Sequence, residues 1–141
     1  MGWWYWIGVS VGFGAAAGIL MSGLPFRRTG MDWLAALVIG CLVGLSVAGP
    51  HRGHWSDVAG GAVGALAAYL GAVVIVAGAF RRGGTKLGLA VLMFGIAFAA
   101  ASLALIPVVG YLEAVVIPAL AYRLRRLQPE RYAGLRTLAK D

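Results

Sequence analysis

Long apolar blocks alternate with short polar joints along this chain. Trp3 to Leu24 runs 22 positions without a charge, and Val58 to Phe80 runs 23. Trp33 to Gly49 is a shorter block of the same kind. About 20 apolar residues, wound as a helix, cross the roughly 30 Å hydrocarbon core of a bilayer. In lipid the backbone must satisfy its own hydrogen bonds, which leaves helices or a closed barrel. The blocks lack the strict alternation of barrel strands, so the pattern predicts helices. The joints read "PFRRTGMD", "PHRGHWSD" and "RRGGTK". Pro25 and Pro50 follow the first two blocks, where proline cannot continue a helix. Asp32 and Asp57 stand just before new blocks, at expected N-cap positions.

The stretch from Leu87 to Tyr122 is harder to thread. It holds 36 residues and a single charge, Glu113. One straight helix of that length would reach about 54 Å at about 1.5 Å per residue, too long for one crossing. Either it crosses twice, turning near Pro107–Gly110, or it crosses once and continues along a membrane surface. Charge arbitrates between the two. The twelve Lys and Arg residues fall as two, one and three in successive joints and six after Tyr122. A double crossing puts eleven of them on one side, as the positive-inside tendency demands, whereas a single crossing divides them almost evenly. A surface helix would also need a polar face, yet Val109, Gly110, Val116 and Ile117 surround Glu113 at helical spacing. The fold expected is therefore an all-α, polytopic membrane bundle of five transmembrane helices, N-terminus outside and C-terminus cytoplasmic. Four spans plus an interfacial helix is the alternative, favoured only by how short and apolar the "PVVG" turn is.

Composition agrees with this solvent. The chain is 61% hydrophobic and 12% charged, against about 25% charged in soluble domains. Its net charge of +7 would suggest nucleic acid in a soluble protein. Here it predicts anionic lipid headgroups as the partner and no nucleic acid. Cys41 is the only cysteine and lies within an apolar block, so it forms no internal disulfide. The opening "MGWWYWIGVS" lacks a basic region, so the first span is expected to be retained. Trp3, Trp4, Tyr5, Trp6 and Trp55 would mark the outer interface, with Phe26, Trp33 and Phe80 at the inner one.

After Tyr122 the character changes, which divides the chain into a bundle of residues 1–122 and a basic tail of residues 123–141. Arg123, Arg125, Arg126, Arg131 and Arg136 are expected to anchor that tail on the membrane surface. Pro129 is placed to open a separate amphipathic helix, with Glu130 in its first turn. Docking to a cytoplasmic partner is the competing use of the tail.

Few residues offer chemistry. Gly8/Gly12, Gly14/Gly18, Gly40/Gly44 and Gly60/Gly64 share the four-residue spacing that lets helix backbones approach closely. They predict tight helix packing, and with it a homo-oligomer or a membrane-protein partner. Glu113 is the sharpest single residue, because an acid within a span is costly and tends to face a cavity or a partner. With Tyr111 beside it and Pro118 five residues on, it is the candidate ion or transport site. The bland alternative is that Glu113 lies near the outer surface and reaches water. His51, His54 and Asp57 form a weak candidate metal site. No hydrolase, P-loop or metalloprotease signature is present, so an enzyme is poorly supported and no cofactor is expected. The function expected is movement of an ion or small solute by a small oligomer. An accessory subunit of a larger membrane complex is the first alternative, and a lipid-active enzyme the second.

Overall fold

The computed structural model describes residues 2–24, 31–48, 55–81, 83–106 and 108–138, except for the side chains of residues 48, 125 and 127–138. These residues form five helices and no strand. They are α1 (Trp3–Gly23), α2 (Asp32–Ala48), α3 (Trp55–Arg81), α4 (Lys86–Leu103) and α5 (Val109–Leu138). Three of them, α1, α3 and α4, are long and apolar enough to cross a membrane, and α2 is a shorter apolar helix.

The glycine contacts give the direction of each helix. A β-carbon built at Gly14 would lie 2.1 Å from the Gly61 carbonyl oxygen, and one at Gly18 would lie 2.2 Å from that of Ala65. Helices α1 and α3 therefore run side by side in the same direction. Gly40 faces Gly61 and Ala65 while Gly44 faces Asp57, so α2 runs against α3. Gly23 meets Met93 and Gly12 meets Ala104, so α4 runs against α1. Gly110 abuts Gly8, and further along Gly71 abuts Ile117 and Pro118, so α5 descends with α1 and α3. Successive helices thus alternate in direction, and α5 returns along the bundle rather than lying across its end. The α1 helix packs against all four others, while α4 and α5 scarcely touch each other.

The core reflects this central position. Ala15 and Ile19 of α1, Ala72 and Val76 of α3, and Met93 and Ala97 of α4 form one buried cluster. Helix α4 contributes only the stripe Leu89, Met93, Ala97 and Ala100, and it leaves Val91, Phe94 and Phe98 exposed. Trp3, Trp4 and Trp55 are exposed at one end, with Trp33 and Phe80 exposed at the other, while Tyr5 and Trp6 are half-buried and Phe26 lies outside the described residues.

Element ends follow local chemistry. Thr85 caps α4 by accepting a 3.2 Å hydrogen bond from Gly88 N. Gly83, at φ +84°, ends α3: Gly84 N bonds Ala79 O and Gly83 N bonds Phe80 O, a Schellman motif. Two expectations need correction. Neither Asp32 nor Asp57 is an N-cap: α2 already includes Asp32 in its first turn, and α3 begins at Trp55 and carries Asp57 buried in its first turn. The turn into α5 includes Val108, at φ 75°, within the stretch where a turn is expected, and Gly110 lies just inside the helix, where close approach to Gly8 requires it. Pro129 opens no new helix, since α5 continues through both Pro118 and Pro129 to Leu138. The two prolines lie three turns apart on one face, so each removes an N–H from the same side of the ladder.

Replacing Gly64 by valine should lower stability by about 1–3 kcal/mol or more, because the new side chain would collide with the Val11 backbone. Thermal melting in detergent checks this. Gly95→Ala, inside α4 where a β-carbon meets nothing within 4 Å, should melt no lower than the parent chain.

Candidate functional site

Glu113 reaches the interior because the residues before it let α5 close on α1. A β-carbon at Gly110 would lie 1.9 Å from the Gly8 carbonyl oxygen, so only glycine permits this approach. Gly8 in turn makes room for the Tyr111 ring, 2.7 Å from where its own β-carbon would be. One turn along the same face, the Glu113 carboxylate arrives over Gly12, with Oε2 3.1 Å from a β-carbon built there. Ala104, at the end of α4, closes the other side of Gly12. Glu113 is only 9% exposed, and neither carboxylate oxygen has a hydrogen-bond partner among the described residues. Burying an unpartnered polar group costs folding free energy, so its presence needs a reason other than stability.

Two tyrosines hold this end of the bundle together. Tyr111 Oη donates to the Trp4 carbonyl at 2.5 Å, and Tyr5 Oη donates to the Leu105 carbonyl at 3.1 Å. Tyr5 also packs edge-on against Trp6, at 5.3 Å between centroids. The start of α1 therefore grips the α4–α5 turn, in which Val108 occupies a left-handed conformation costly for a β-branched residue. Tyr111 is thus an anchor of the turn. Pro118 packs over Gly71 of α3, more than a turn beyond Glu113. Its missing N–H still removes the helical partner of the Ala114 carbonyl, next to Glu113 in sequence.

The other expected residues are distributed as follows. His51 and His54 lie outside the described residues, and no group of three or more His, Cys, Asp or Glu side chains able to hold a metal occurs among those described. Asp57 is 6% exposed, with its Oδ1 unpartnered among the described residues. All eight paired glycines face other helices of this same chain, so the packing they predict is satisfied internally. Arg123 and Arg126 are exposed, and Arg126 lies 4.6 Å above the Tyr122 ring while donating to its hydroxyl. The side chains of Arg125, Arg131 and Arg136 lie outside the described residues.

Sequence reasoning missed Ser10. It is fully buried in α1, and its Oγ has no hydrogen-bond partner among the described residues. The available signal was its place one turn before Gly14 and two before Gly18, on the face that packs against α3.

Compared with known protein families, curated proteins and solved structures, the chain matches none.

Glu113→Met keeps a comparable volume and removes the unpartnered oxygens. It should raise unfolding stability by about 1–3 kcal/mol, read as a higher melting temperature in detergent. A lower one would mean that the carboxylate has a stabilising partner.

Proposed function

We propose that this chain is a five-span membrane protein that moves a proton or small cation, with Glu113 as the group that takes the cargo up. The observation that carries this reading is the pair of Glu113 oxygens sealed at the α1–α4–α5 junction without a partner. An acid kept inside a span at a cost to stability is the usual mark of an ion pathway. The alternating helix directions support five crossings over four, since α5 packs down the bundle beside α1 and α3. Exposed Arg81, Lys86, Arg123 and Arg126 then gather at the end opposite Trp3 and Trp55. By the positive-inside tendency that end is cytoplasmic, which puts the N-terminus outside and the basic tail against anionic headgroups.

An accessory subunit is the second reading, favoured by the exposed apolar face of α4 around Phe94 and Phe98. Under it, mild-detergent purification would yield a stable complex with a larger membrane protein. The glycine pairs are filled within the chain, so self-association would have to use another face, such as this one.

The experiment is flux in proteoliposomes loaded with a pH- or sodium-sensitive dye. Wild-type protein should move one of these ions and Glu113→Gln should lose at least tenfold in rate. Asp32→Asn, at the start of α2, should keep the parent rate. A wild-type protein that moves neither ion, or a Glu113→Gln protein as fast as wild type, would overturn the proposal.

A further inference from the structure

Three helix serines of this chain, Ser22, Ser46 and Ser102, turn their hydroxyls back onto carbonyls of their own helices at 2.7, 2.8 and 2.9 Å. That is the default for serine within a helix, where no other partner competes. Ser10 departs from it. It is the most buried of the four, and its Oγ bonds to nothing among the described residues. A buried hydroxyl that forgoes its own carbonyl is directed at something else.

The helix register says where that is. Gly14 lies against Gly61 and Gly18 against Ala65 along the α1–α3 seam. Carried one turn toward both N-termini, the same register sets Ser10 level with Asp57. Asp57 is likewise nine-tenths buried, and its Oδ1 is likewise without a partner. Helix α2 closes the same level, since a β-carbon at Gly44 would lie 2.3 Å from the Asp57 carbonyl oxygen. Two buried oxygens without partners among the described residues thus belong to one level of the three packed helices and do not bond each other.

We propose that Ser10 and Asp57 hold a small monovalent cation of the sodium type between α1 and α3. A hydroxyl and a carboxylate are hard oxygen ligands, which suit alkali and alkaline-earth ions over softer metals. A single carboxylate balances a single charge. Glu113 projects from the α5 side over Gly12, two residues from Ser10 and so nearly opposite it around α1, and it does not complete this set. The site is therefore separate from the carboxylate assigned to transport, and it stands or falls independently of that assignment.

The test is the melting temperature of the full chain in detergent, followed by tryptophan fluorescence in sodium chloride against choline chloride at matched ionic strength. A ligand that binds only the folded state raises stability with the logarithm of its concentration once above its dissociation constant. Wild type and Glu113→Gln should both melt at rising temperatures as sodium increases, with no change in choline. Ser10→Ala should lose that response, Asp57→Asn should lose it too, and Ser10→Thr, which keeps a hydroxyl, should restore it. Should Asp57→Asn fail to fold, the contrast between Ser10→Ala and Ser10→Thr decides alone. A wild type that melts identically in sodium and choline, or a Ser10→Ala protein with the full sodium response, would overturn the proposal.

Discussion

At Gly14 a β-carbon would fall 2.1 Å from the carbonyl oxygen of Gly61, and at Gly64 one would fall 2.0 Å from that of Val11. This backbone-to-backbone contact between α1 and α3 is the constraint on which the rest of the bundle depends. Lipid supplies no hydrophobic force between helices, so close approach through small residues must do that work. Once α1 and α3 are joined, α2 attaches through Gly40 and Gly44, and α5 attaches through Gly8 and Gly110. Helix α4 sits on a single stripe around Met93 and Ala97, which leaves most of its surface turned outward.

The same closeness explains why the polar groups are sealed. Glycine brings the helices so near that whatever side chain lies one turn away is enclosed. Gly110 does this to Glu113, Gly14 to Ser10, and Gly61 to Asp57. Each of these residues has an oxygen without a partner among the described residues. The chain thus carries two separate buried polar features at the end of the bundle where α1 begins. One lies on the α5 side of α1, and the other on its α3 side. Tyr5 and Tyr111 fasten that end by bonding across to Leu105 and from the α5 turn to Trp4.

Much of this arrangement was legible in the residues themselves. The apolar blocks and the charge-poor run from Leu87 to Tyr122 located the five helices to within a few residues, except that α5 runs on well past Tyr122 to Leu138. The paired glycines lie against other helices of the chain, and Glu113 stood out because it was the one charge in 36 residues. Other features depend on how helices meet, which no local pattern encodes. Asp57 looked like a cap because it precedes an apolar run, but α3 starts at Trp55 and turns Asp57 inward. The turn near Pro107–Gly110 was expected, but not that the β-branched Val108 takes its left-handed position while Gly110 is needed inside α5 against the backbone of Gly8. Ser10 looked like any serine in a membrane helix until its burial and its missing back-bond set it apart from Ser22. Proline marked helix ends at Pro25 and Pro50 but not at Pro118 or Pro129, where α5 carries on.

Everything proposed for Glu113 depends on its carboxylate being held against Gly12 of α1 and withheld from water. Carbodiimides activate carboxyl groups for coupling, and they come in water-soluble and lipid-soluble forms. Labelling of the protein in membranes with each form, followed by mass spectrometry of the peptide that holds Glu113, measures this directly. The water-soluble reagent should modify the half-exposed Asp32 and spare Glu113, which only the lipid-soluble reagent should reach. Equal modification of Glu113 and Asp32 by the water-soluble reagent would contradict it.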